Sequence, residues 1–188
     1  AGGPFGTGVA GGVSFLFGDQ LSDRQIGLGI QANGTVQDIG GQLIYQNLKN
    51  RWNWGASIQH VPYLTGYYAP PKAIEGSGGL YEQNLYLQRI FIDEAGIQTS
   101  YPLSTTQRVE FNLSATRLGF NTQIEQIVVD GAGQLYDQRV FDDTTNIKPV
   151  YYAQGGVAFV SDNSYSAFTN PIQGTRYRFE VTPMVGTL

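Results

Sequence analysis

A glycine-rich string near the start of the chain is the first candidate for chemistry. Residues Gly6 to Gly11 match the G-x-G-x-x-G fingerprint of dinucleotide-binding folds. That fingerprint must open a helix, whose N-terminus receives the pyrophosphate. Here the string leads into the alternating segment from Val13 to Phe17 instead. We therefore interpret it as a glycine-rich loop, and we expect no bound nucleotide.

Acidic residues supply two further candidates. Asp93 and Glu94 are adjacent, and neighbours in a strand point to opposite faces, so they cannot act together on one bond. Four aspartates between residues 130 and 143 could bind calcium weakly, but they lack the 12-residue spacing of a calcium loop, which favours a plain hydrophilic loop. These four are Asp130, Asp137, Asp142 and Asp143.

The residue types that catalysis and metal binding need most are scarce. His60 is the only histidine and the chain has no cysteine, which excludes thiolate-bound zinc, iron-sulfur clusters and histidine-rich metal sites. No serine lies in a nucleophile-elbow context. We expect no catalytic residue, no cofactor and no metal, and we predict that the segment is not itself an enzyme. A weaker hypothesis is that the segment is the anchor of an enzyme.

Charged residues recur at alternate positions of two segments near the middle and the end of the chain. If these segments are strands, the charges project from one face of a sheet into a shared interior, where arginine and glutamate can pair in place of bulk hydration. We favour a role in stabilising a filled lumen over a role in pore selectivity. The predicted lumenal residues are Arg108, Glu110, Arg176, Arg178 and Glu180.

The segments that must position these charges alternate strictly between apolar and polar residues. Period-two alternation recurs along the whole chain, and no window keeps a helical apolar stripe, so we predict an all-β fold of about eight long antiparallel strands in an up-and-down meander. One segment, 81–101, carries Arg89 and Asp93 on its apolar parity, which predicts a bulge or a strand that extends beyond the apolar layer. The apolar parity predicts ten lipid-facing residues: Ile26, Leu28, Ile30, Ala56, Ile58, Val109, Phe111, Leu113, Phe179 and Val181.

Composition indicates whether the apolar side of the predicted sheet faces lipid or water. Only 14% of the 188 residues are charged, and the polar parity holds mostly Gln, Asn, Ser, Thr and Gly, which suits a hydrated lumen better than a surface in bulk water. Trp52 and Trp54 adjoin a predicted two-residue turn, where an interfacial aromatic girdle would lie. The acidic balance excludes nucleic acid as a partner. The competing interpretation is a soluble antiparallel barrel or sandwich that binds a small apolar or sugar ligand.

Connections between the predicted strands alternate in length. Two long ones, 60–80 and 121–149, fall at one end of a meander, whereas short turns dominate the other end. Outer-membrane barrels have this arrangement, with short periplasmic turns and long extracellular loops, so we predict that the strands form a transmembrane β-barrel or half of a larger one. Within the second long connection, Asp130-Gly131 is a hairpin signal that predicts a projecting β-ribbon.

Several short runs resemble the surface-antigen-like barrels that follow a TolB-like β-propeller in some bacterial outer-membrane proteins. These barrels are distant relatives of the barrel-assembly and two-partner-secretion translocators. The runs that carry the resemblance are 12–21 (GVSFLFGDQL), 44–47 (IYQN), 51–55 (RWNWG), 101–104 (YPLS), 162–164 (DNS) and 171–178 (PIQGTRYR).

The resemblance implies that residues 1–188 are one segment, the first half of a barrel of about sixteen strands, incomplete at both ends. It places the protein in the outer membrane of a Gram-negative bacterium, with a structural, anchoring or porin-like transport role. Its implied partners are outer-membrane lipid, the rest of its own barrel and a periplasmic or extracellular domain. The implied periplasmic turn motif comprises Asp162, Pro171 and Gly174.

Overall fold

The computed structural model describes residues 10–33, 36–143, 147–167 and 170–187. These residues form thirteen strands and one short 3-10 turn at Val36–Asp38. The strands are β1 (Ala10–Gly18), β2 (Arg24–Asn33), β3 (Ile39–Asn47), β4 (Asn53–Tyr68), β5 (Lys72–Ala73), β6 (Tyr81–Pro102), β7 (Gln107–Val129), β8 (Leu135–Asp142), β9 (Val150–Asp162), β10 (Tyr165–Ala167), β11 (Asn170–Gln173), β12 (Arg176–Val181) and β13 (Met184–Gly186).

The long strands form one antiparallel sheet in the order β1-β2-β3-β4-β6-β7-β9-β12. Short strands β5 and β8 pair with β6 and β7, and β13 pairs with β9, while β10 and β11 form a separate hairpin. The predicted all-β meander is therefore confirmed. Among the residues described, the sheet is open, because β1 and β12 each pair with a long strand on one side only.

Strands β12 and β13 are two parts of one long strand. Both pair with β9 in the same register, with Val181 opposite Val157 and Met184 opposite Gln154. The interruption falls at Pro183, which has no N–H to donate, although its carbonyl still accepts a bond from the Gly155 N–H at 3.1 Å. With these two counted as one, the sheet has the eight long strands that the alternation predicts.

The pairing of β6 decides between the two explanations of its charged positions. β6 pairs without interruption with β4 from Leu85 to Ser100 and with β7 along its whole length. A bulge would shift the register, so none is present. Arg89 and Asp93 share the apolar parity because β6 continues beyond the apolar layer.

Both predicted long connections are shorter than the alternation suggests. β4 extends to Tyr68 and β7 extends to Val129, since their outer parts pair with β6 and satisfy each other's backbone groups. The predicted ribbon is confirmed, because β8 folds back on β7. In its turn, the Asp130 carboxylate accepts bonds from the backbone N–H groups of Ala132 at 2.9 Å and Gln134 at 2.8 Å.

Few large apolar side chains are buried in this sheet. Leu85 and Leu87 lie inside on β6, and Ala158 and Val160 lie inside on β9. Many other large apolar residues in the described ranges are exposed, including most of those predicted to face lipid. Within the same ranges, no helix is long and apolar enough to cross a membrane.

Candidate functional site: the two faces of the sheet

Register places the ten predicted lipid-facing residues on one side of the sheet, which we call the apolar face. Paired residues of antiparallel strands share a face, so each row of partners can be followed from strand to strand. One row runs Leu28, Leu43, Ile58, Ala95, Ala115, Ala153, Val185, and the next runs Ile26, Tyr45, Ala56, Ile97, Leu113, Gly155.

Side chains of the apolar face are open to the surroundings. Ile58 is 57% exposed, Leu113 53% and Phe179 68%. No second layer of the described residues covers this side of the sheet. A soluble sheet normally buries its apolar face against such a layer. Among the described residues, the apolar face of this sheet has no such packing partner.

Aromatic residues cluster where the apolar face meets the short turns. The Trp54 ring lies 5.2 Å from the Tyr45 ring, and the Trp52 ring lies 5.5 Å from the Tyr101 ring. The Trp52 indole N–H donates to the Thr99 hydroxyl. The two predicted interface aromatics therefore lie at one level with further rings, and we call this level the aromatic band. On the last strands it continues through Phe159, Tyr177 and Phe179.

A row of polar residues marks the opposite limit of the apolar face. His60, Asp93, Arg117 and Tyr151 are consecutive partners across β4, β6, β7 and β9, and we call them the charged row. His60 Nδ1 lies 2.5 Å from one Asp93 oxygen, and Arg117 donates to the other at 2.6 Å. The sequence does not predict this cluster, because Asp93 and Arg117 lie 33 and 57 positions after His60 in the chain.

The height of the apolar face follows from strand geometry. From Tyr101 in the aromatic band to Asp93 in the charged row, β6 rises about 27 Å at ~3.4 Å per residue. At the strand tilt of about 35–45° found in membrane barrels, this length would correspond to about 20 Å along the barrel axis, against ~25 Å for the apolar band of such barrels.

Beyond the charged row the side continuous with the apolar face becomes mixed, since it buries Leu85 and Leu87 together with a charged pair. On the side continuous with the apolar face, Arg89 is only 4% exposed, and its Nε donates to Asp38 of the 3-10 turn at 3.0 Å. Arg89 also donates to Gln123 at 3.2 Å. On the other side Tyr63 and Tyr67 are exposed. The sequence showed that Arg89 breaks the apolar parity, but it gave no sign of the partner 51 positions earlier.

The five predicted lumenal charges share the opposite side, which we call the polar face. Arg108 donates to Glu110 at 2.6 Å, Arg178 donates to Glu180 at 2.8 Å, and Arg178 also donates to Glu110. Arg176 lies apart and pairs with Asp162 at 3.4 Å. Four of the five charges thus form one connected network.

Amide side chains fill much of the remaining polar face. They include Gln25, Gln31, Gln42, Gln46, Gln59, Gln98, Asn112 and Gln154. A cavity of about 310 Å³ and another of about 360 Å³ share Gln46, Gln98 and Asn112 in their linings. Uncharged donors and acceptors can hydrogen-bond water or a neutral polar solute there.

The predicted turn motif forms part of the hairpin end between β9 and β12. Asp162 accepts bonds from the Ser164 N–H at 3.1 Å and hydroxyl at 2.5 Å, and the hydrogen bond from the Ser164 hydroxyl holds the Asp162 pKa below its ordinary value. Gly174 has φ +109°, and a Cβ there would collide with the Asn163 carbonyl oxygen. Pro171 belongs to the small β10–β11 hairpin and pairs with Ser166.

The remaining candidates for chemistry do not converge on a reaction centre. Asp93 and Glu94 face opposite sides, since Asp93 joins the charged row and Glu94 accepts a bond from Thr116 on the polar face. Asp137 pairs with Arg139 at 2.9 Å. Among the described residues no three His, Cys, Asp or Glu side chains form a group that could hold a metal. Most of the glycine fingerprint, residues 6–9, lies outside the described ranges.

Comparison with known proteins adds no identity. No protein-family model, no curated protein and no solved structure matches this chain.

Proposed function

We propose that this chain forms part of the wall of a β-barrel in a bacterial outer membrane, with a structural, anchoring or transport role. One observation carries the proposal. An uncovered apolar face crosses all eight long strands, with the aromatic band at one end and the charged row at the other. Bands of this kind, flanked by aromatic girdles, are typical of the lipid-facing side of membrane barrels.

Physical chemistry supports lipid over water for this face. A soluble monomer rarely exposes an apolar patch larger than about 300–600 Å². Contact with lipid tails removes the free-energy cost of exposing apolar side chains to water, because the tails are as apolar as the side chains that meet them. The paired arginines and glutamates and the amide groups of the polar face would then line a hydrated lumen.

The edges of the sheet extend the proposal to the rest of the barrel. Backbone N–H and C=O groups within lipid must all be paired, which strands achieve only in a closed barrel. Within lipid, the free edges of β1 and of β12 with β13 therefore need partners, either each other or further strands. We propose that such strands complete a larger barrel of the surface-antigen-like group, joined to a periplasmic or extracellular domain.

Partitioning and gel mobility test the membrane location together. We expect the protein to stay in the detergent-rich phase, and to migrate differently on a gel before and after boiling, because a folded barrel resists the gel detergent until heated. A protein that stays monomeric in buffer without detergent at high concentration contradicts the proposal. It would instead support a soluble barrel or sandwich whose apolar face is covered in another way.

A further inference from the structure

A shallow trough lies on the apolar face, directly beside the charged row. Its floor consists of Ala95, Ala115 and Ala153, which are consecutive partners across β6, β7 and β9. Ile58 and Val185 are the next partners on either side and close its ends with larger side chains. The trough is open along one side, and its volume is about 650 Å³.

The two long sides of the trough differ in chemistry. Toward the aromatic band it is bounded by the exposed aliphatic side chains of Ile97 and Leu113. Toward the other end it is bounded by Asp93, Arg117 and Tyr151 of the charged row. An amphiphile with an apolar tail and a polar head matches both sides at once.

Arg117 is held in place with donor capacity to spare. Its guanidinium lies over Gly119, where a Cβ would come within 3.3 Å of the Arg117 Nη1. The side chain donates to Asp93, lies on the strand position paired with Tyr151, and remains 45% exposed. A guanidinium has five N–H donors, so several are left for a ligand.

The acidic group in the same row does not cancel this capacity. Both carboxylate oxygens of Asp93 already face protein nitrogens, one from His60 and one from Arg117. An ionised carboxylate only accepts hydrogen bonds, so Asp93 orients the two nitrogen side chains around it. The remaining N–H donors of the charged row therefore belong to Arg117, whose guanidinium lies on the side of that row away from the trough floor.

We propose that the trough binds one acyl chain of an anionic membrane lipid, whose phosphate contacts Arg117. This inference rests on the proposed membrane location. Alanine side chains let a methylene chain approach the sheet more closely than the surrounding Ile, Leu and Val side chains do. Arginine is the side chain best suited to a phosphate, because its planar fork matches two phosphate oxygens. A protein partner is a poorer fit, since a stable interface takes about 800 Å² from each side, whereas the floor of the trough is only three alanine side chains.

Native mass spectrometry measures directly which lipids the protein retains. The protein, kept in a mild non-ionic detergent, is offered equal amounts of phosphatidylglycerol and phosphatidylcholine with identical acyl chains, and the retained lipids are counted. We expect the wild-type protein to retain phosphatidylglycerol preferentially. Arg117→Gln should weaken that preference about tenfold, the scale of one lost charge-assisted contact. Ala115→Leu fills the trough and should reduce retention of both lipids.

Matched variants control for charge and size. Arg139→Gln removes an exposed arginine on β8, and Val157→Leu enlarges an exposed side chain on the apolar face outside the trough. Both should behave as the wild type. The heat-dependent gel shift confirms that each variant is folded before lipids are counted.

Each outcome bears on one proposal only. A wild-type protein that stays in detergent but retains both lipids equally overturns the lipid site, as does an Arg117→Gln or Ala115→Leu protein that behaves as the wild type. Release of phosphatidylglycerol by inorganic phosphate alone would show a headgroup site without a seated chain, which also overturns it. A protein that leaves the detergent phase refutes the membrane location instead.

Discussion

Arg178 and Glu110 form an ion pair that spans the full width of β9. They belong to β12 and β7, the two neighbours of β9, and they meet on the polar face. Between them lies Ala158, which is the register partner of Glu110 and of Glu180 and is only 1% exposed. The ion pair thus lies over Ala158, whose side chain is small enough to fit beneath it.

Enlarging Ala158 should force this bridge apart. Ala158→Leu is expected to destabilise the protein by about 1–3 kcal/mol, the usual cost of overpacking a filled site. Urea unfolding followed by tryptophan fluorescence measures the change. Ala153→Leu is the control, because Ala153 is exposed on the other face of the same strand. Equal stability of the two variants would contradict the bridging arrangement.

Charge on the apolar face should be costly where the same charge on the polar face is tolerated. Leu113→Arg lies near the middle of the apolar face and should reduce the free energy of folding into lipid vesicles by about 2–4 kcal/mol. Ser114→Arg, one residue further on β7 and on the polar face, should have a mild effect. If the two variants fold equally well into vesicles, the apolar face does not meet lipid.

Removing one partner of the buried Asp38–Arg89 pair should be more damaging than removing both. Arg89→Met leaves the Asp38 carboxylate buried without this partner, and losses of this kind cost about 3–5 kcal/mol. The double variant Asp38→Leu with Arg89→Met should recover most of that loss, because no buried charge remains. A urea unfolding series of the wild type, the double variant and the single variants Arg89→Met and Asp38→Leu measures it, and additive losses would argue against direct coupling.

The turn between β9 and β12 should require glycine at position 174. Gly174→Ala puts a side chain where φ is positive and where the Asn163 carbonyl already lies, so we expect a loss of about 1–3 kcal/mol. Gly131→Ala is the control, since a Cβ there meets nothing within 4 Å. Thermal unfolding of both variants measures the difference.

Acid should loosen the same turn. The folded state lowers the pKa of Asp162, so its stabilising effect is complete above the ordinary aspartate pKa of about 3.9 and is lost as the pH falls through the folded value. The protection of the Ser164 amide against hydrogen exchange, relative to an unstructured chain at the same pH, should therefore fall below about pH 4. In Asp162→Asn, which keeps an acceptor oxygen but does not titrate, that loss of protection should disappear. Its persistence would show that another group is responsible.

Local patterning predicted the sheet well and its long-range contacts poorly. Alternation assigned Ile58 and Leu113 to one face and Arg108 and Glu110 to the other, because side-chain direction depends only on the period of two. Alternation does not predict the contact between Asp38 and Arg89, because the spacing of residues along the chain does not determine how far a loop folds over a strand. The lengths of β4 and β7 were underestimated for a related reason: their outer parts are stabilised by pairing with β6, not by alternation.

The order of strands in the sheet has a kinetic consequence. Each long strand pairs with its nearest long neighbours in the chain, and all but one of the turns at one end are only a few residues long. Closing such a short connection costs little chain entropy, so each hairpin can add to the edge left by the one before it. The sheet can therefore grow one hairpin at a time along the chain, with a single advancing edge that awaits its next partner.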